Sequence, residues 1–142
     1  MTLAQTAAVV ARIQEIPALA SKTFKLVAPR NGSGALPTAP YVVVQPSDGT
    51  ETQGRYTGGR ATMHPRFVFH AVGSSYDNAQ MILELVKDKF ITAAGFGIPL
   101  VVAGEDCKNM RWESPQPVQV DNDPTPPILY ATGELFWDAE PV

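Results

Sequence analysis

The chain has 142 residues, of which 44% are hydrophobic and 18% charged, with a formal net charge of −3. That length suits one domain with a sizeable core, and the charged share falls below the usual quarter or so. The 11 Lys and Arg are scattered and form no basic run, which argues against sequence-specific binding of DNA or RNA, and no stretch approaches the roughly 18 consecutive apolar residues of a membrane span.

Thr2 is placed to cap a helix running to about Glu15. Leu3, Ala7, Val10 and Gln14 form one stripe, and Val9, Ile13 and Ile16 an adjoining one. No Lys or Arg precedes the apolar part, so the segment reads as a helix and not as a signal peptide. Pro17 ends it, because proline disfavours helix at the preceding residue. A short strand is expected over residues 23–27, then a loop in NGSGALPTAP. YVVVQP, a β-branched run bounded by prolines, is a strand. The following SDGTETQGRYTGGR holds four glycines and almost no aliphatic residue, the composition of a mobile loop or a projecting hairpin.

Residues 61–72 alternate with period two: Phe67, Phe69 and Ala71 on one face, Val68, His70 and Val72 on the other. Pro65 cannot donate to a ladder, so this strand is at an edge or pairs only after it. Gly73-Ser74-Ser75 then breaks the pattern ahead of a helix. A phosphate cradle would need more glycines and usually a lysine, whereas Lys87 is three turns away and Asp77 puts negative charge at the helix start. The break reads as capping, by Ser74 with Asp77 in a capping box or by Ser75 as N-cap. The helix runs from Tyr76 or Asp77 to Ile91, with Ala79, Ile82, Leu83, Val86 and Phe90 as its core stripe. Phe67, Phe69, Ile82, Val86 and Phe90 are expected to pack together. Met81 and Leu85 widen the stripe, either as core or as an interface. Gly95 and Gly97 stop the helix. Residues 100–103, 110–113, 118–121 and 128–137 are further strands.

Strands come in runs, which predicts an α+β fold: a mainly antiparallel β-sheet packed by two α-helices, one domain over residues 1–142. The 13 prolines, above the usual share of about 5%, punctuate these elements. No internal repeat is present.

Chemistry is hard to find in this pattern. His64 and His70 lack Cys or His partners at metal spacing, and about 20 Å of strand separates them. The single cysteine, Cys107, excludes an intrachain disulfide framework and fits a reducing compartment. Glu105 and Asp106 beside it would raise its pKa, with Lys108 a partial offset, so it reads as an inert thiol. Asp121 and Asp123 in VDNDPTPP lack the glycine and glutamate of a calcium loop and read as an Asx-rich turn. Nucleophile-elbow, zincin and dinucleotide motifs are absent. No catalytic residue, cofactor or metal is expected.

The string as a whole resembles a known family. A helix, the proline-flanked strand LPTAPYVVVQP, a glycine-rich polar segment, an aromatic strand, the capped helix SSYDNAQMILELVKDKF and a β-rich end with ILYATGELFWD together look like the tail terminator, or tail completion, proteins of long-tailed bacteriophages. The resemblance spans the whole chain and lies in architecture rather than in one motif. It implies a structural virion protein whose six copies form a ring at the tail–neck junction. That ring caps the tail tube and joins it to the head–neck connector. Its partners would be its own copies, the tail tube protein and connector proteins, met in the host cytoplasm before assembly. The family offers no catalytic residues to carry over. Within this chain, Arg55, Tyr56 and Arg60 in the glycine-rich segment and Met81 and Leu85 on the second helix are the expected subunit or tube contacts. Two other readings fit the same residues: a different neck or connector protein, and a small ligand-binding or enzymatic domain, which would need a concave pocket with convergent polar groups.

Overall fold

A computed structural model describes residues 2–47, 49–53, 61–124 and 126–142. In chain order the elements are α1 (Thr2–Gln14), a 3-10 turn (Pro17–Leu19), β1 (Thr23–Lys25), β2 (Tyr41–Gln45), β3 (Thr50–Gln53), β4 (Ala61–His64), β5 (Arg66–Gly73), α2 (Tyr76–Asp88), β6 (Val101–Val102), β7 (Glu105–Glu113), β8 (Gln119–Asp121) and β9 (Ile128–Pro141). The class is α+β. Among the described residues the strands join one sheet, with the path β1-β2-β5-β9-β4-β3 and with β7 and β8 on the other edge of β9. Every strand pairing is antiparallel except β1 with β2.

β9 is the axis of this sheet. Along one edge it pairs with β5 from Arg66↔Phe136 to Gly73↔Leu129 and with β4 at Met63↔Ala139. The register is continuous across Pro65, so the expected strand over residues 61–72 is two strands in one line. Its outer edge changes partner at the proline, which has no N–H to give: β3 pairs with β4, and β2 pairs with β5 from Val68. The segment 47–60 thus contributes β3, which pairs antiparallel with β4 just after it. Arg55, Tyr56 and Arg60 lie outside the described residues.

The C-terminal strands are longer than their apolar runs suggest. β9 continues past residue 137 to Pro141 because its odd positions, Trp137 and Ala139, stay in the core. β7 begins at Glu105, five residues before the expected start, pairing the polar EDCK segment with the end of β9. A bulge between Lys108 and Arg111, with Asn109 at φ 56°, explains why the pattern was hard to read. One extra residue switches the core-facing set from Glu105 and Cys107 to Met110 and Trp112.

The core lies between α2 and one face of the sheet, with Val9, Val10 and Ile13 from α1 and Ile16 from the residues just after it. As expected, Phe67, Phe69, Ile82, Val86 and Phe90 all belong to it. Phe69 is stacked between Phe90 and Trp112, with ring centroids 5.9 and 5.6 Å away, and Phe67 lies 5.0 Å from Trp137. Full burial of such a side chain is worth about 1.5–3 kcal/mol. Gly133 makes room for the stack: a Cβ there would sit 2.3 Å from the Trp112 ring.

Two helix details differ from expectation. In α1 Leu3, Ala7 and Gln14 of one expected stripe are exposed, whereas the adjoining stripe, Val9 and Ile13 with Ile16 just past the helix, is buried together with Gln5, Thr6 and Val10. The rotation is set by distant polar partners. Gln5 Nε2 donates to Glu105 Oε2 at 2.9 Å, and Arg12 donates to the carbonyls of Ile98 and Pro99, both at 2.8 Å. Arg12 also lies 5.5 Å from the Phe90 ring centroid. α2 ends at Asp88, short of Ile91, where Lys89 and Phe90 donate to carbonyls only three residues back.

Candidate functional site

The Gly73-Ser74-Ser75 break is used up by the fold itself. Ser75 is the N-cap, and its Oγ accepts from Asn78 N at 3.2 Å. Asn78 Oδ1 accepts in return from Ser74 N at 3.1 Å, so Asn78 fills the role expected of Asp77 in the capping box. A Cβ on Gly73 would lie 2.3 Å from Ala79 N. The helix start is packed against the strand end at Gly73.

Alternation along the strands builds a second face opposite α2. β2 is buried on both sides: Val42 and Val44 enter the main core, while Tyr41 and Val43 join Val72 in a separate small cluster. Phe24, Ala28, Ala39, Ile128 and Tyr130 pack around that cluster. Beside it runs a groove of about 370 Å³, lined among others by Leu26, Val27, Tyr41, Val43, His70, Val72 and Tyr130. Apolar side chains make its floor. Arg30 and Asp121 bring one charge of each sign to its lining.

The rim at β1 is held in an uncommon conformation. Leu26 has φ 65°, and Val27 N donates to Lys25 O at 2.7 Å across it, a turn of only three residues. Left-handed backbone is costly for a bulky side chain, about 1–2 kcal/mol. The bond from Leu26 N to Val44 O, 2.8 Å, holds it there. The turn leaves Leu26 and Val27 61% and 74% exposed above the groove.

Polar groups enter from β5, β8 and β9. His70 Nδ1 hydrogen-bonds Thr132 Oγ1 at 3.1 Å, and its ring meets Tyr130 edge-on at 5.4 Å. Burial pushes the His70 pKa down, favouring the neutral ring. Tyr130 OH donates to Gln119 Oε1 at 2.8 Å. Burial raises the Tyr41 phenol, a rise that Arg30 opposes and Asp121 adds to.

Farther along β9 the second face turns ionic. Arg66 pairs with Glu134 and lies over Phe136, and Lys108 Nζ reaches Glu140 Oε2 at 2.7 Å. Asp138 collects His64 Nδ1 and Asn109 Nδ2, both at 2.8 Å, and Arg111 Nη2 at 3.6 Å. Burial would raise its carboxyl, yet these hydrogen bonds and charges outweigh burial and hold it below the usual range. His64 and His70 therefore serve different networks on separate strands.

The surface offers recognition chemistry: apolar area, aromatic edges and paired charges. Cys107 lies on the core side, where burial, then Glu105 and Asp106, push its pKa up to about 11. The Trp137 indole N–H partly opposes that rise, although it makes no hydrogen bond of ordinary length and angle. Among the described residues no cluster of His, Cys, Asp and Glu could hold a metal ion, and no helix is long and apolar enough to cross a membrane.

Of the expected contact residues, Met81 and Leu85 are 51% and 37% exposed on the outer side of α2. They are neighbours at i and i+4 and take no part in the core. They sit on the opposite side of the sheet from the groove. Leu26, Val27, Tyr41, Val43 and Tyr130 were missed by sequence reasoning. The signal was present in YVVV, where four successive apolar residues demand cover on both faces of a strand. No protein-family model matches the chain, and no curated protein matches it significantly.

Proposed function

We propose that this protein is a structural component of a long-tailed phage virion, a tail terminator that assembles as a ring on the end of the tail tube. There it ends tube growth and joins the tail to the head–neck connector. Both helices would lie on one side of the sheet in each subunit. The observation that carries the reading is the pair of unlike exposed apolar patches on opposite sides of the sheet. One is Met81 with Leu85 on α2; the other is the groove with Leu26 and Val27. A ring needs two different patches on each subunit, because its contacts are heterologous. The architecture resembles the family from end to end, which adds support.

The test is electron microscopy of the purified chain, alone and with tail tubes, combined with complementation of a phage lacking this protein. Ring-shaped oligomers, capped tubes and restored head joining are the expected result. Tubes that stay uncapped and heads that stay unjoined would overturn the reading. The groove itself favours a second reading, a ligand-binding domain, because aromatic and polar groups converge there on an apolar floor. A thermal-shift screen with small aromatic acids and amines separates the two: saturable stabilisation abolished by Val43→Trp supports the ligand reading.

A further inference from the structure

We infer that the groove receives the outer side of α2 from a second copy of this chain. The inference deepens the self-association reading above and rests on it, but the pairing is argued from charge and exposure alone. Residues 16–47 contain Lys22, Lys25 and Arg30 and no Asp or Glu. This arm supplies β1, the strained Leu26 turn and Arg30 of the groove lining, and Lys25 and Arg30 are exposed on it. Asp121 is the acidic group in the groove lining.

The outer side of α2 is the complement. The buried residues Ala79, Ile82, Leu83 and Val86 fix the helix's rotation. With 100° per residue, the side farthest from them carries Asp77, Met81, Glu84 and Asp88, with Leu85 next to Met81. All five are exposed. Two apolar side chains are thus framed by three carboxylates, facing away from the sheet. The groove offers an apolar floor and rim, with Arg30 in its lining and Lys25 exposed beside Leu26 on the same arm. Met is also an adaptable filler for an irregular cavity. Because the groove and α2 lie on opposite sides of the sheet, no copy can satisfy both within itself. Contact must run head to tail from one copy to the next, and a helix laid into an apolar groove is a recurring recognition mode.

Charge exchange tests the pairing. One variant reverses the helix, Glu84→Lys with Asp88→Lys; the other reverses the arm, Lys25→Glu with Arg30→Glu. All four side chains are exposed, and circular dichroism checks that each variant folds. Sedimentation velocity reads association of each chain alone and of an equimolar mixture. The wild type is expected to associate, more weakly at high salt. Each variant alone should lose more than about tenfold in association, because its two contact patches now carry like charge. The mixture should recover, because each variant then meets a partner of opposite sign. If the wild type associates while either variant still associates as well as it does, or the mixture fails to recover, the pairing is overturned and the ring reading stands. A wild-type chain that stays monomeric at every concentration overturns the pairing, and the capping of tail tubes then decides the ring reading separately.

Discussion

The two faces of one sheet follow different physical rules, although the same strands build both. On the helix side, Phe67, Phe69, Ala71, Leu135 and Trp137 are completely or almost completely buried. Their partners come from α2, α1 and β7, and the fit is close enough to require glycine at position 133. On the second side, Val68, His70, Tyr130, Glu134, Phe136 and Asp138 are only half-buried. Order there comes from ion pairs and hydrogen bonds, and at one end from a small apolar cluster beside an unfilled groove. Dense packing specifies a fold, because volume errors of a methylene are felt. A half-dry polar face adds little net stability but leaves area available for recognition.

That contrast can be broken by experiment. Phe69→Ala removes the middle ring of a three-ring stack and should cost about 3–5 kcal/mol in denaturant unfolding. A loss below 1 kcal/mol would mean that the helix side is not the specified core. Gly133→Ala adds one methyl to that side. It should cost about 1–3 kcal/mol through overpacking against Trp112, and a neutral or stabilising result would show the stack to be loose. On the second side, Tyr130→Phe deletes a single hydrogen bond to Gln119 and should cost about 0.5–1.5 kcal/mol.

The smallest expected effect is a pH dependence. Burial lowers the His70 pKa in the folded chain, so below about 6.5 the unfolded chain binds the extra proton first. Stability should fall as pH drops through that value and level off once the folded chain is also protonated. The melting temperature of His70→Gln should lose this component over pH 7.5 to 5.5. An unchanged slope would place the imidazole in water and the groove floor with it.

Legibility in the sequence divides along the same line. The α2 stripe and the alternation at residues 67–72 were readable because both the period and the burial are local. Ser75 was readable as a cap for the same reason. Around α1 the Val9, Ile13 and Ile16 stripe was readable, but the burial of Gln5 was not, since its partner Glu105 lies 100 positions away in sequence. Nor was β7, where the bulge at Asn109 interrupts period two in mid-strand. The candidate surface was half legible. Met81 and Leu85 stood out as surplus to the core stripe, and the structure puts them outside it. Arg55, Tyr56 and Arg60 lie outside the described residues. The groove was hidden because its rim depends on a left-handed leucine, which no propensity rule expects, and its walls come from residues 26–36 and 121–130, brought together only by the sheet.

The position of β9 in the sheet has a consequence for how the chain comes into being. It follows the other eight described strands in sequence, yet β4, β5, β7 and β8 all hydrogen-bond to it. A ribosome delivers those four first and their shared partner afterwards. Until residues 128–141 emerge, β5 can pair only with β2, and the ring stack lacks the floor formed by Ala131, Gly133 and Leu135. The sheet therefore closes after synthesis of its members rather than during it, through contacts far apart in sequence, which is the slow and exposed route to a folded state. A nascent chain of this kind would benefit from a chaperone at the stage when its strands are made but their centre is missing.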